Sequence, residues 1–72
     1  MSDNFFYKKL GKKIIKVRER KKISQENLSF STGLDRTYIC RIEKGLANPT
    51  LKTIEKIANA LKIKLCLLLE SL

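Results

Sequence analysis

Apolar residues recur along this chain at helical intervals, and turn-forming residues between them divide it into five short segments. Leu10, Ile14 and Val17 fall at i, i+4 and i+7, one face of a first helix from about Asn4 to Lys21. Lys8, Lys9, Lys12, Lys13, Lys16 and Arg20 take much of its remaining surface, and Ile15 stands off the stripe. Ser24 is placed to cap a second helix, about Gln25 to Thr32, by accepting from a backbone N–H of its first turn. Asn27 stands where a complete capping box would carry Glu or Gln. Leu28 points inward, and Gly33 ends the helix because a left-handed closing residue costs glycine nothing. Asp35 caps a third helix, about Arg36 to Lys44, which Gly45 closes. In the loop "LANPT", Pro49 disfavours helix at Asn48 and Thr50 caps a fourth helix. That helix, about Leu51 to Leu61, places Leu51, Ile54, Ile57, Ala58 and Leu61 on one face. A last turn or two runs from about Lys64 to Ser71. β-Branched residues are scattered rather than alternating, so no strand is expected. The pattern predicts an all-α, compact five-helix domain occupying residues 1–72.

Two short helices about a glycine-bearing turn form a helix-turn-helix, here about residues 24–45. In such a unit the second helix enters the DNA major groove. Its two faces can be checked at ~100° per residue. With Ile39 at zero, Asp35, Ile42, Glu43 and Leu46 lie within ~60° of it. Thr37, Arg41 and Lys44 cluster at ~140–200°, directly opposite, and Arg36 projects forward from the first turn. One edge is therefore an anchor and the other a broad row of donors. Arginine can give two hydrogen bonds to guanine O6 and N7, and threonine a hydroxyl or methyl contact to thymine. Tyr38 can bond a phosphate or pack on a thymine methyl.

Charge fits the same picture. Sixteen Lys and Arg against 7 Asp and Glu leave +9, with a pI near 9.9, which suits a polyanion: nucleic acid or an acidic membrane surface. Against a membrane, the longest apolar run is "LCLLL", whereas a span needs about 20 residues, and the leucines and lysines are separated along the chain. The N-terminal "FFY" is too short for a secretory signal, so a cytoplasmic protein is expected. Cys40 and Cys66 are 26 residues apart in a chain without histidine, so reduced thiols are expected and no metal or cofactor. No nucleophile–base pair or glycine-rich phosphate loop points to an enzyme. RNA recognition would want an aromatic stacking platform, which the few aromatics do not form.

The ordered set "LGKKIIKVRERKKISQENLS", "TGLDRTYICRIEKG", "NPTLKTIEKIANAL" and "LCLLL" resembles the phage-repressor-like helix-turn-helix family (Cro and C1 type, or xenobiotic-response-element family). The resemblance runs from about Leu10 to Leu69, and "LDRTYI" is similar to the small controller proteins of restriction–modification systems. It implies a five-helix, lambda-repressor-like fold whose last helix feeds a symmetric dimer. By position it implies base reading by Arg36, Thr37 and Arg41, and backbone contacts from Gln25, Tyr38, Lys44 and Asn48. It also implies a structural ion pair between Arg18 and Glu43. Three positions depart from it: Cys40 stands where serine is common, Lys62 replaces a frequent glycine, and Lys64 replaces a polar cap. The fifth helix is accordingly expected to start irregularly.

Leu65, Leu67, Leu68, Leu69 and Leu72 exceed what one short terminal helix can bury beneath itself, and Ile63 and the fourth helix can add to the same face. We expect residues 62–72 to form a twofold interface, setting two recognition helices about 34 Å apart on a near-palindromic operator. The expected partners are duplex DNA, a second copy of the chain and RNA polymerase. A chain of this length leaves no room for an effector domain, so regulation through concentration is expected. The rival is an antitoxin-type or phage repressor module, whose main partner is another protein meeting the basic first helix or the leucine-rich end.

Overall fold

The computed structural model describes residues 3–70, the side chains of 3 and 4 excepted. The described residues form five helices and no strand: α1 Asp3–Arg20, α2 Gln25–Thr32, α3 Arg36–Glu43, α4 Leu51–Ala60 and α5 Leu65–Leu69. The caps fall where the sequence puts them. Ser24 Oγ accepts from Asn27 N at 3.0 Å, Asp35 Oδ1 from Thr37 N at 3.4 Å, and Thr50 Oγ1 from Thr53 N at 3.2 Å. Lys64 precedes α5 without any side-chain cap.

The helices pack as α1 on α3 and α5, α2 on α3 and α4, and α4 on α5. Leu10, Ile14, Leu28, Ile39, Ile42, Ile57, Leu61 and Leu68 are fully buried where they meet. Leu10, Ile14 and Val17 of α1, Leu28 of α2, and Ile39 and Ile42 of α3 are in this core, as expected. On α4 one residue departs: Leu51 is 61% exposed. It opens the helix, a turn ahead of the buried stripe that begins at Ile54.

α5 is shorter than expected and is held differently. Leu68, expected at a dimer interface, is instead completely buried within the single chain, where α5 packs on α1 and α4. Burying a leucine contributes about 1.5–3 kcal/mol. Isolated helices below about 12–15 residues are marginal, so a five-residue helix needs such an anchor. Ile63, Leu65 and Leu69 are half-buried against the core, Leu67 is 41% exposed, and Leu72 and Ser71 lie outside the described residues.

Three helices end in the same hydrogen-bonded closure, in which a left-handed residue and the one after it donate back into the last turn. After α3 the left-handed residue is Gly45; after α1 and α4 it is Lys22 and Lys62, both at φ 59°. The lysine in place of glycine at 62 thus adopts the glycine conformation, and the next residue, Ile63, donates to Ala58 O at 3.0 Å. Gly11 has a different task. A Cβ there would sit 2.4 Å from Glu43 O and 2.6 Å from Ile42 O, so its bare Cα lets α1 rest on the end of α3. That contact fixes the angle at which α3 faces outward.

Candidate nucleic-acid interface

Side chains from α2 pin the corner between α2 and α3. Gly33, at φ 75°, reverses the chain. Thr32 Oγ1 accepts from Leu34 N at 3.1 Å and donates to Leu28 O at 2.8 Å, while Ser29 Oγ donates to Leu34 O. Leu34 is thereby held against the core, and the next residue, Asp35, starts α3. Ile39 and Ile42 face inward, fully buried, as the helical period requires.

The opposite face of α3 is turned to solvent. Arg36, Thr37, Cys40, Arg41 and Lys44 line a concavity of about 480 Å³, completed by Gln25 from the start of α2 and Leu46 from the following loop. The three expected base-reading residues are thus brought to one surface, with Gln25 and Lys44 beside them. Tyr38 is half-buried against the core, and Asn48 is exposed on the loop. Neither lines the concavity.

Three details were not expected. Arg41 does not extend freely: its Nη2 donates to Leu46 O at 3.3 Å, which draws the guanidinium toward the loop. Leu46 sits at 59% exposure rather than on the anchoring edge, because the left-handed turn at Gly45 carries the chain off the helical path. Cys40 joins the concavity as a half-buried residue. Its place was legible, four residues after Arg36 and three after Thr37 on the same helix. That of Leu46 was not, since extending the helical angle past Gly45 points it inward.

Beneath this surface lies one buried acid. Glu43 is 5% exposed and accepts from Arg18 Nε at 2.8 Å, Arg18 Nη2 at 3.2 Å and Gln25 Nε2 at 2.7 Å. Arg18 Nη1 donates onward to Ile23 O at 3.0 Å. The Arg18–Glu43 pair is therefore present, and it does more than join α1 to α3. It also holds Gln25, whose amide was expected to meet a phosphate, by one of its N–H bonds. α2 begins at Gln25, and a helix N-terminus favours an anion.

A short helix seated across a second one, with its donors turned out and its acid turned in, defines a helix-turn-helix unit. The chain belongs to the helix-turn-helix family, whose family model matches residues 14–68. Among its relatives is the control protein C.BamHI of Bacillus amyloliquefaciens, 44% identical over 55 residues that span 75% of this chain and 68% of that protein. The restriction–modification controller protein C.AhdI of Aeromonas hydrophila superposes with a TM-score of 0.84 at 40% identity, covering 86% of this chain and 94% of that one. A tetramer of the controller C.Esp1396I, solved in complex with its natural 35-base-pair operator, matches with a TM-score of 0.85 at 36% identity over 97% of this chain and 90% of that one.

Proposed function

We propose that this chain is a sequence-specific, double-stranded-DNA-binding transcription regulator that acts as a homodimer on a near-palindromic operator, as the controller of a restriction–modification system. The observation that carries this is the single concave surface on α3. It gathers Arg36, Thr37, Arg41 and Lys44, and no carboxylate lines it. Arg36 and Arg41 supply guanine-type bidentate contacts and Thr37 a thymine contact. Lysines at the helix ends attract the phosphate backbone through counterion release, so affinity falls steeply with salt. C.BamHI and C.AhdI, matched over 68% and 94% of their own length, support the restriction–modification setting.

In this reading the protein is a cytoplasmic binding module rather than a catalyst, and RNA polymerase is the machinery it blocks or recruits. No helix among the described residues is long and apolar enough to cross a membrane. With Leu68 committed to the core, the dimer face rests on the half-buried Leu65 and Leu69.

The test is selection of bound duplexes from a random pool, followed by titration of Arg36→Ala. The pool should return two inverted half-sites about one helical turn apart. Arg36→Ala should lower affinity for the selected duplex about 5- to 150-fold, the worth of a bidentate pair, with little change on unrelated duplex. Equal loss on both duplexes would remove its base-reading role.

A further inference from the structure

A second concave surface lies away from α3. At ~100° per residue, Gly11 and Arg18, which meet the end of α3, lie on one flank of the α1 core stripe. Lys13, Lys16 and Arg20 lie on the other flank, where α5 and the connection before it run alongside. Between them is a groove of about 190 Å³. Its floor is apolar: Val17, Ile63 and Leu67. Its rim is cationic: Lys13, Lys16, Arg20 and Lys21.

The rim is not neutralised from within. Among the described residues the one ion pair is Arg18–Glu43. Lys13 Nζ donates to Glu70 O at 3.5 Å and Lys21 Nζ to Lys62 O at 3.2 Å, both backbone carbonyls. Glu70 is the single carboxylate lining the groove, against four cations.

We propose that this groove docks an acidic amphipathic segment of a partner protein, with apolar side chains on the floor and carboxylates along the rim. The volume falls below the roughly 300–1,000 Å³ of sites that engulf a small molecule, so the groove takes part of a larger ligand. A phosphate backbone gains nothing from the apolar floor. A lipid surface needs several apolar groups that protrude, whereas here Val17 is buried and Ile63 half-buried, leaving Leu67 alone exposed. A second copy using the same patch would bring four more cations and only one more carboxylate to the contact, which disfavours it. Because the groove opens on the flank of α1 opposite the α3 contact, duplex and peptide can be held together.

The experiment uses the full chain and two fluorescein-labelled helical peptides. One carries leucines at i, i+3 and i+4 among glutamates; in the other the leucines are serines. Anisotropy should show the leucine peptide binding at least about tenfold more tightly, since burying even one leucine is worth that much. Binding should persist with the selected duplex at saturation. Lys16→Glu/Arg20→Glu, at two exposed positions, should abolish it while circular dichroism and the preference between duplexes stay unchanged. Leu67→Ser should weaken the leucine peptide and leave the serine peptide as it was.

Four results overturn the proposal: no peptide binding, equal binding of both peptides, uptake onto phosphatidylserine–phosphatidylcholine vesicles with the same residue dependence, or a change in sedimentation mass of the double variant. The last would make the groove a contact between copies. A chain that binds the peptide but shows no duplex preference would leave the groove standing and bring down the DNA reading alone.

Discussion

Removing Glu43 tests how the recognition surface is held. Its carboxylate takes three hydrogen bonds from two side chains, and the side chains of the Arg18–Glu43 pair are only 13% and 3% exposed. Glu43→Ala leaves Arg18 with a single partner, the Ile23 carbonyl, and leaves the Gln25 amide without its anchor. Stranding one member of a buried pair costs about 3–5 kcal/mol. Arg18 retains some access to solvent, which places the loss near the lower end, about 3 kcal/mol. A chain of 72 residues at about 0.05–0.15 kcal/mol per residue has roughly 4–11 kcal/mol in all. Urea unfolding followed by circular dichroism should therefore show a large fall in midpoint with little change in slope.

Loss of fold and loss of contact can be separated. Arg18→Met/Glu43→Leu replaces the pair by apolar side chains, and such exchanges are often neutral or stabilising. The double variant should recover most of the stability lost by Glu43→Ala. It should not recover duplex affinity, because nothing then fixes Gln25, and Gln25→Ala in the otherwise unchanged chain should reproduce that deficit. A Glu43→Ala chain within about 1 kcal/mol of the parent, below any stranded-charge cost, would refute the reasoning.

Gly11→Ala should destabilise the fold by about 1–3 kcal/mol, the usual cost of overpacking, since the added methyl meets backbone carbonyls rather than a side chain that can yield; thermal unfolding checks it. Lys62→Gly should stabilise by about 1 kcal/mol, the left-handed penalty relieved, and raise the melting midpoint by about 4–8 °C. The Lys21 bond to residue 62 ends on a backbone oxygen and should survive that exchange.

The parts of the fold legible in the sequence are those governed by local rules. Ser24, Asp35 and Thr50 cap helices because a short oxygen-bearing side chain reaches an N–H two or three residues on, whatever the rest of the chain does. The α1, α2 and α3 core faces follow from period alone. Expectations failed where tertiary packing or a backbone turn decided. Leu51 has the right phase but no neighbour to cover it. Leu68 belongs to a run of leucines in which sequence cannot tell the core-facing member from the rest. The Arg36, Thr37 and Arg41 surface was legible because Thr37 and Arg41 lie opposite Ile39 on one helix and Arg36 projects from its first turn. The bonds from Gln25 to Glu43 and from Arg41 to Leu46 were not, since each depends on how two elements meet.

The same meeting of elements explains how a chain of net charge +9 keeps a cationic helix edge in place. Like charges on a small domain repel, and an eight-residue helix has little stability of its own. α3 is held from its inner side instead. Ile39 and Ile42 are buried, Gly11 admits its last carbonyls against α1, and Glu43 bonds to Arg18 of α1 and Gln25 of α2. Glu43 thus places the one buried negative charge of the described residues under the cations of the outer face, where it offsets part of their repulsion without occupying the surface. An acid on the outer face would offset the same repulsion but would meet the phosphates. Inward acid and outward base on one short helix therefore stem from a single requirement: the helix must be anchored by charge on the side that DNA does not touch.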